Sequence, residues 1–328
     1  MKHLRKSALA RWSNTALTLV AAWGVASAAT FPDHPIKMVV GFPAGQSTDT
    51  SARRIAQGMA DILKQSVFVD NKPGAAGGIS HGAVKTAAPD GYTLVMGSTG
   101  TLAINPWLYS KLPYDPIKDF DPVALVSASP LVLFVPASSP VNNLKELIAY
   151  AKARPGKVTY GSGGSGTTGH IAMEMLKKEA GIDMLHVPYK GSPPMITDLI
   201  GGQIDVAFEP IGSVLPFEKS ARVKFLGFAT LKRYAAAPKV PTLSEQGLPG
   251  FEAVPWTAIL VPKETPPSVI QQLNQAINQV LKKPELVEAF AQTGSYPVGG
   301  SPSDAKTYLM EENAKWGKAV KASGAQVD

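Results

Sequence analysis

Four times in this chain a short apolar run ends in a cluster of glycine and small residues, and helical spacing follows. Ile36–Phe42 reads as a buried strand, Pro43–Thr48 as a turn, and Thr50–Leu63 as a helix carrying Ile55, Met59, Ile62 and Leu63 on one face. Val67–Asp70, the turn Lys72–Gly78 and a helix over Ser80–Ala87 repeat the order. Pro89-Asp90-Gly91 then turns the chain into a strand over Tyr92–Met96. Alternation of this kind predicts an α/β fold with a mainly parallel sheet.

The pattern breaks once. Pro122–Val126 and Leu131–Val135 are apolar runs with no helix between them. Alternation then resumes through helix Leu144–Ala153, strand Val158–Gly161, helix Thr168–Ala180, strand Leu185–Val187, helix Met195–Ile200 and strand Ile204–Phe208. A second α/β unit therefore starts near residue 129. The final stretch reads as the helices Pro267–Lys282, Pro284–Gln292 and Ser303–Ala322, without strands of their own, so they are predicted to cover a sheet built elsewhere. The expected organisation is a discontinuous first domain (29–128 plus 251–328), a second domain (129–250) and a leader (1–28). At 328 residues the chain has room for both domains.

The leader is read from Lys2, Arg5, Lys6 and Arg11, the apolar stretch Ala16–Val25 and the small residues Ala26-Ser27-Ala28. This is the plan of a cleavable secretory signal peptide, with an apolar run too short to span a bilayer. The full chain carries a net charge of +7; without the leader, 28 basic residues face 25 acidic ones. That balance, with no run of Lys and Arg, argues against a nucleic-acid partner. Cysteine is absent, which excludes disulfides, thiolate metal sites and a cysteine nucleophile. The expected location is the periplasm, and the expected state a monomer.

In open α/β sheets ligands bind beyond the carboxyl ends of the strands, where helices begin with unpaired N–H groups and a partial positive charge. The turn Phe42, Ala44, Gly45, Gln46, Ser47, Thr48 and Asp49 opens the first helix, and Ser98 and Thr99 follow the third strand. Ser162, Gly163, Ser165, Gly166, Thr167 and Thr168 open the long helix of the second unit, with His170 in its first turn; Tyr189 precedes the next helix. Several donor-rich turns facing one cleft suit a small anion such as a carboxylate. Asp49 reads first as a helix cap and second as a ligand contact. Asp205, inside a strand, should be paired, with a bond to loop amides favoured over ligand contact. Gly161-x-Gly163-x-x-Gly166 matches a dinucleotide fingerprint, but an exported chain is a poor setting for such a cofactor. A P-loop, G-x-S-x-G and H-E-x-x-H are missing, and His34, His81, His170 and His186 lack ligand spacing. Catalytic residues, cofactors and metals are accordingly not expected.

Beyond these residues the sequence resembles the Bug-type extracytoplasmic solute receptors of tripartite tricarboxylate transporters, across essentially the whole mature chain. The resemblance rests on Phe31-Pro32-x-x-Pro35-Ile36, Phe42-Pro43-x-Gly45-x-x-x-Asp49, Asn71–Gly78, Pro89–Leu94, Gly161–Gly166, His186–Gly191 and Gly202-Gln203-Ile204-Asp205, in that order. It implies a periplasmic-binding-protein type II-like fold: two α/β domains joined by a hinge and closing on a ligand. It also implies binding of a carboxylate by backbone amides, hydroxyls and water rather than a dedicated arginine, and delivery to integral membrane subunits. The alternatives are a receptor serving a membrane sensor kinase and, more remotely, a secreted α/β enzyme. Pro43-Ala44-Gly45-Gln46 departs from the family's usual Pro-Pro-Gly-Gly, which gives Gln46 an expected part in ligand selection.

Overall fold

The structure, a computed structural model, describes residues 31–325; the leader expected at 1–28 lies outside the described residues. The chain opens with β1 (Ile36–Val40), α1 (Ser47–Leu63), β2 (Val67–Asn71), α2 (Gly78–Lys85), β3 (Thr93–Ser98), α3 (Asn105–Leu108) and β4 (Phe120–Ala128). It continues through β5 (Leu131–Pro136), α4 (Leu144–Lys152), β6 (Thr159–Ser162), α5 (Thr168–Ala180), β7 (Leu185–Pro188) and α6 (Ser192–Ile200). Then come β8 (Val206–Pro210), α7 (Ile211–Lys219), β9 (Val223–Phe228) and β10 (Trp256–Pro262). The chain finishes with α8 (Pro267–Leu281), α9 (Pro284–Gln292), β11 (Tyr296–Gly299) and α10 (Pro302–Ser323).

Two sheets result, each with helices packed against it. The first has six strands in the order β11-β4-β10-β3-β1-β2, the second five in the order β7-β6-β8-β5-β9. The expectation of mainly parallel sheets is corrected: both are mixed. β1 pairs parallel with β2 and β3, whereas β10 runs antiparallel to β3 and β4. In the second sheet β6 is parallel to β7 and β8, while β5 is antiparallel to β8 and β9. The cause is the break seen in the sequence. β4 runs into β5 with no crossover helix, so the chain changes sheet in an extended conformation, and β10 brings it back in the opposite direction.

The two crossings lie side by side. The Ser129 amide donates to the Pro255 carbonyl at 2.9 Å, and the Ala253 amide to the Ala229 carbonyl at 2.9 Å. Beside them the buried Glu312 of α10 accepts the indole N–H groups of Trp256 at 2.8 Å and Trp316 at 2.7 Å, and it contacts Lys315.

A further correction concerns the last stretch, where β11 stands between α9 and α10. It is an edge strand paired only with β4; Pro297 is tolerated there because that edge needs no further donor. Tyr296 and Val298 are exposed, so β11 lacks the buried alternation that would reveal it in sequence. α1 also begins earlier than expected. The Asp49 carboxylate reaches back to the Gly45 amide at 2.8 Å, which extends the helix to Ser47.

The alternation of strand side chains builds the core. Ile36, Met38 and Val40 of β1 face Ile55 and Met59 of α1 and Leu273, Ile277 and Val280 of α8. Val39 and Val95 point the other way, into a cluster that continues through Leu108, Trp256 and Trp316 to Leu133, Tyr160 and Phe208 of the second sheet. The apolar core is thus continuous from one lobe to the other.

Candidate functional site

Between the lobes lies a cavity of about 680 Å³. Strands of both sheets end at it and helices begin at it, as expected where unpaired N–H groups collect. From the first lobe it is lined by Phe42, Gly45, Ser47, Thr48, Thr50, Ser51 and Arg54, and by Ser98 and Thr99 after β3. The crossings add Ser127, Ser129, Trp256 and Thr257. From the second lobe come Gly163, Gly166, Thr167 and Thr168 at the start of α5, Ser192 at the start of α6, and Glu209, Gly212 and Ser213. The wall is therefore dense in hydroxyls and amides and holds only two formal charges among its lining residues, Arg54 and Glu209.

Of the residues singled out in the sequence, Phe42, Gly45, Ser47, Thr48, Ser98, Thr99, Gly163, Gly166, Thr167 and Thr168 line this cavity. The others stand outside its lining, and their contacts explain why. Asp49 is buried and spends its carboxylate on the Gly45 amide, on Arg53 Nε at 3.0 Å and on Asn71 Nδ2 at 2.8 Å. Burial raises its pKa, but bonds from Arg53, Gly45 and Asn71 outweigh that and hold it below the usual carboxylate value. The capping expectation is corrected: Gln46 is the N-cap of α1, and Asp49, within the first turn, anchors the preceding loop instead.

His170 accepts the Gly166 amide at Nδ1 at 3.0 Å and stacks on His186, with ring centroids 4.0 Å apart. Burial holds its pKa down, which keeps the ring a neutral acceptor. The Ser162 hydroxyl bonds the Gly164 carbonyl at 3.0 Å and His186 Nε2 at 2.7 Å. The Tyr189 hydroxyl donates to Asp198 at 2.8 Å. Asp205 lies at the opposite end of the second sheet, accepting from the Thr159 amide at 2.7 Å and hydroxyl at 2.9 Å. Asp205 is paired, as expected, but it is half-buried, it precedes β8 rather than lying within it, and its partner is the first residue of β6 rather than a loop amide. Ala44, Gln46 and Ser165 are exposed; Gln46 is the N-cap of α1, and its side chain makes no capping bond.

Sequence reasoning missed Arg54 and Glu209. Arg54 lies on the face of α1 that carries Thr50 and Ser51, and it donates from Nη1 to the Ala289 carbonyl at 3.1 Å. Its spacing from the turn was a usable signal. Glu209 stands near the carboxyl end of β8, where an acid inside an apolar strand is itself a signal. Burial pushes its pKa up to about 7, against a lowering influence of the Ser192 hydroxyl.

At the rim the lobes touch through backbone. A Cβ built on Gly212 would lie 2.1 Å from the Thr293 carbonyl oxygen, and one on Gly294 would lie 2.6 Å from the Gly212 amide. Within the second lobe a Cβ on Gly169 would meet the Phe208 carbonyl at 2.5 Å, so the start of α5 sits directly against β8.

Comparison with known proteins bears on this site. The family model described as "Tripartite tricarboxylate transporter family receptor" matches residues 51–325. Protein BugT of Bordetella pertussis is 38% identical over 302 residues, 92% of this chain and 93% of that protein. Among solved structures, R. palustris Rpa4515 with adipate has a TM-score of 0.79 and 34% identity, covering 90% of this chain and 100% of that one. MatC from Rhodopseudomonas palustris with bound malate has a TM-score of 0.75 and 31% identity, covering 88% of this chain and 100% of that one.

Proposed function

The chain belongs to the family of tripartite tricarboxylate transporter receptors, and from that membership we propose that it captures a small carboxylate in the cavity between its two sheets. One observation supports this reading above the others: α1 and α5, from opposite lobes, both begin at the cavity and bring hydroxyls and amides to it. Such donors suit a carboxylate, and each bond to a charged acceptor is worth about 1.5–3 kcal/mol. The relatives whose structures hold adipate and malate favour a dicarboxylate as the ligand class. The residues proposed to meet the ligand are Gly45, Ser47, Thr48 and Arg54 from the first lobe, and Gly166, Thr167 and Thr168 from the second.

A receptor of this family works outside the cytoplasmic membrane. We place cleavage after Ala28, the lobe boundaries at 128/129 and 250/251, and a monomer as the working form. Integral membrane subunits of a tripartite transporter are the proposed recipient of the ligand.

A thermal-shift screen over mono-, di- and tricarboxylates tests the reading. Binding should stabilise the protein by about 2.7 kcal/mol at a hundred times Kd. A panel in which no carboxylate raises the melting temperature would refute it.

A further inference from the structure

Glu209 is the one carboxyl among the described residues lining the cavity, and the one cation of that lining, Arg54, stands on α1 of the other lobe. It follows Ala207 on the face of β8 that packs with α6, one step nearer the strand's carboxyl end, where α6 starts and the cavity opens. The residue is only 6% exposed. The neighbouring elements bring it no charge. β5, paired alongside, is apolar throughout. On β6, Tyr160 is bonded to Glu174 of α5, which also holds Lys177. On α5, His170 is bonded to Gly166, while Lys178 and Glu179 lie in the last turn. On α6, Ser192 offers a hydroxyl and Asp198 is bonded to Tyr189. Glu218 and Lys219 sit at the far end of α7. Arg54, on α1 of the other lobe, is bonded to the Ala289 carbonyl, and among the described residues no ion pair joins it to Glu209.

We propose that Glu209 contacts the ligand and takes up one proton as the carboxylate enters, so that the cleft captures ligand and proton together. The inference rests on the carboxylate-receptor reading above. A ligand carboxylate brought beside Glu209 disfavours its ionised form, and burial of Glu209 acts in the same direction. The proton comes from solvent and adds to a Glu209 carboxylate oxygen, and no bond of the ligand breaks. The neutral carboxyl then donates an O–H to the ligand, where the ionised form would repel it. Burial has already brought Glu209 to the edge of this change, with a pKa of about 7 in the ligand-free cleft.

The test is calorimetry of the mature receptor with adipate, malate and the tightest carboxylate of the screen, from pH 6 to 9, in two buffers of different ionisation enthalpy. At pH 7 binding should take up about half a proton, rising toward one by pH 8, and affinity should fall by up to about tenfold per pH unit above 7. Glu209→Gln keeps a neutral donor, so its affinity should be flat with pH and its proton uptake zero. The buffer dependence of the unaltered protein decides the matter even if that variant folds poorly. Binding without proton uptake would overturn the proposal. So would proton release, the mark of an ammonium-bearing ligand paired with ionised Glu209. If no carboxylate binds at any pH, the receptor reading falls and this inference falls with it.

Discussion

Gly212 of α7 and Thr293, just after α9, approach so closely that a side chain on the first would strike the carbonyl oxygen of the second at 2.1 Å. They belong to opposite lobes and both line the cavity, so the contact exists only while the lobes are together at this rim. Gly212→Ala should act as a wedge. Overpacking of this kind costs about 1–3 kcal/mol in any state that keeps the two lobes in contact here. Carboxylate affinity should fall about 5- to 150-fold by calorimetry. Unchanged affinity would show that closure does not use this contact.

Asp49→Ala removes the acceptor that Gly45, Arg53 and Asn71 share. Leaving buried donors unsatisfied costs about 1–3 kcal/mol. We expect a lower melting temperature together with weaker ligand binding, because the loop that presents Gly45 and Ser47 loses its anchor. The Asp49 pKa is depressed in the folded state, so this contribution is present above the ordinary carboxylate value and fades as pH falls below it. The stability gap between wild type and variant should therefore narrow in acid.

Arg54→Gln tests the positive charge in the wall. A charge-assisted bond is worth about 1.5–3 kcal/mol, so carboxylate affinity should drop about 10- to 150-fold. Folding should be nearly unaffected, since the side chain's one described bond is to the Ala289 carbonyl. An affinity equal to that of the wild type would take Arg54 out of the ligand's reach.

His81 is fully buried against Tyr114; its Nδ1–H donates to the Gly77 carbonyl at 3.0 Å, and its Nε2 has no partner. Burial lowers its pKa to about 4. The unfolded chain therefore binds a proton that the folded one refuses. Stability is whole above about pH 6.5 and is lost as pH falls toward 4, by roughly 3 kcal/mol. His186, also lowered to about 4 by burial, adds to the same slope. Urea titrations between pH 7 and 4.5 should show this loss. His81→Asn, which keeps a donor for Gly77, should flatten the curve.

Much of this is legible in the sequence, for a physical reason. Helix α5 matches its expected span at both ends because Thr167 caps its start and Gly181 ends it in a left-handed turn; both are local signals. The turns that line the cavity were readable likewise, since glycine and hydroxyls cluster there whatever the tertiary fold. Strands β10 and β11 were not. β10 takes its place from partners distant in the sequence, and β11 is a short edge strand. The fates of Asp49, His170, Ser162 and Tyr189 were also hidden. Each carries a group that would suit a ligand, and each is claimed by a neighbour that only folding supplies. Gln46 shows the limit from the other side, for its departure from a family pattern says nothing of which way the side chain points.

The position of β10 carries a consequence for the order in which the molecule assembles. All five strands of the second sheet come from the continuous stretch 131–228. The first sheet cannot join β3 to β4 until β10, at 256–262, arrives between them. A chain emerging amino end first therefore carries its opening hundred or so residues past the point where local contacts could complete their sheet, and such late, non-local closure is slow. The middle of the chain can condense first while the beginning waits for the end. The order of sheet completion thus runs against the order of the sequence, the second sheet closing before the first.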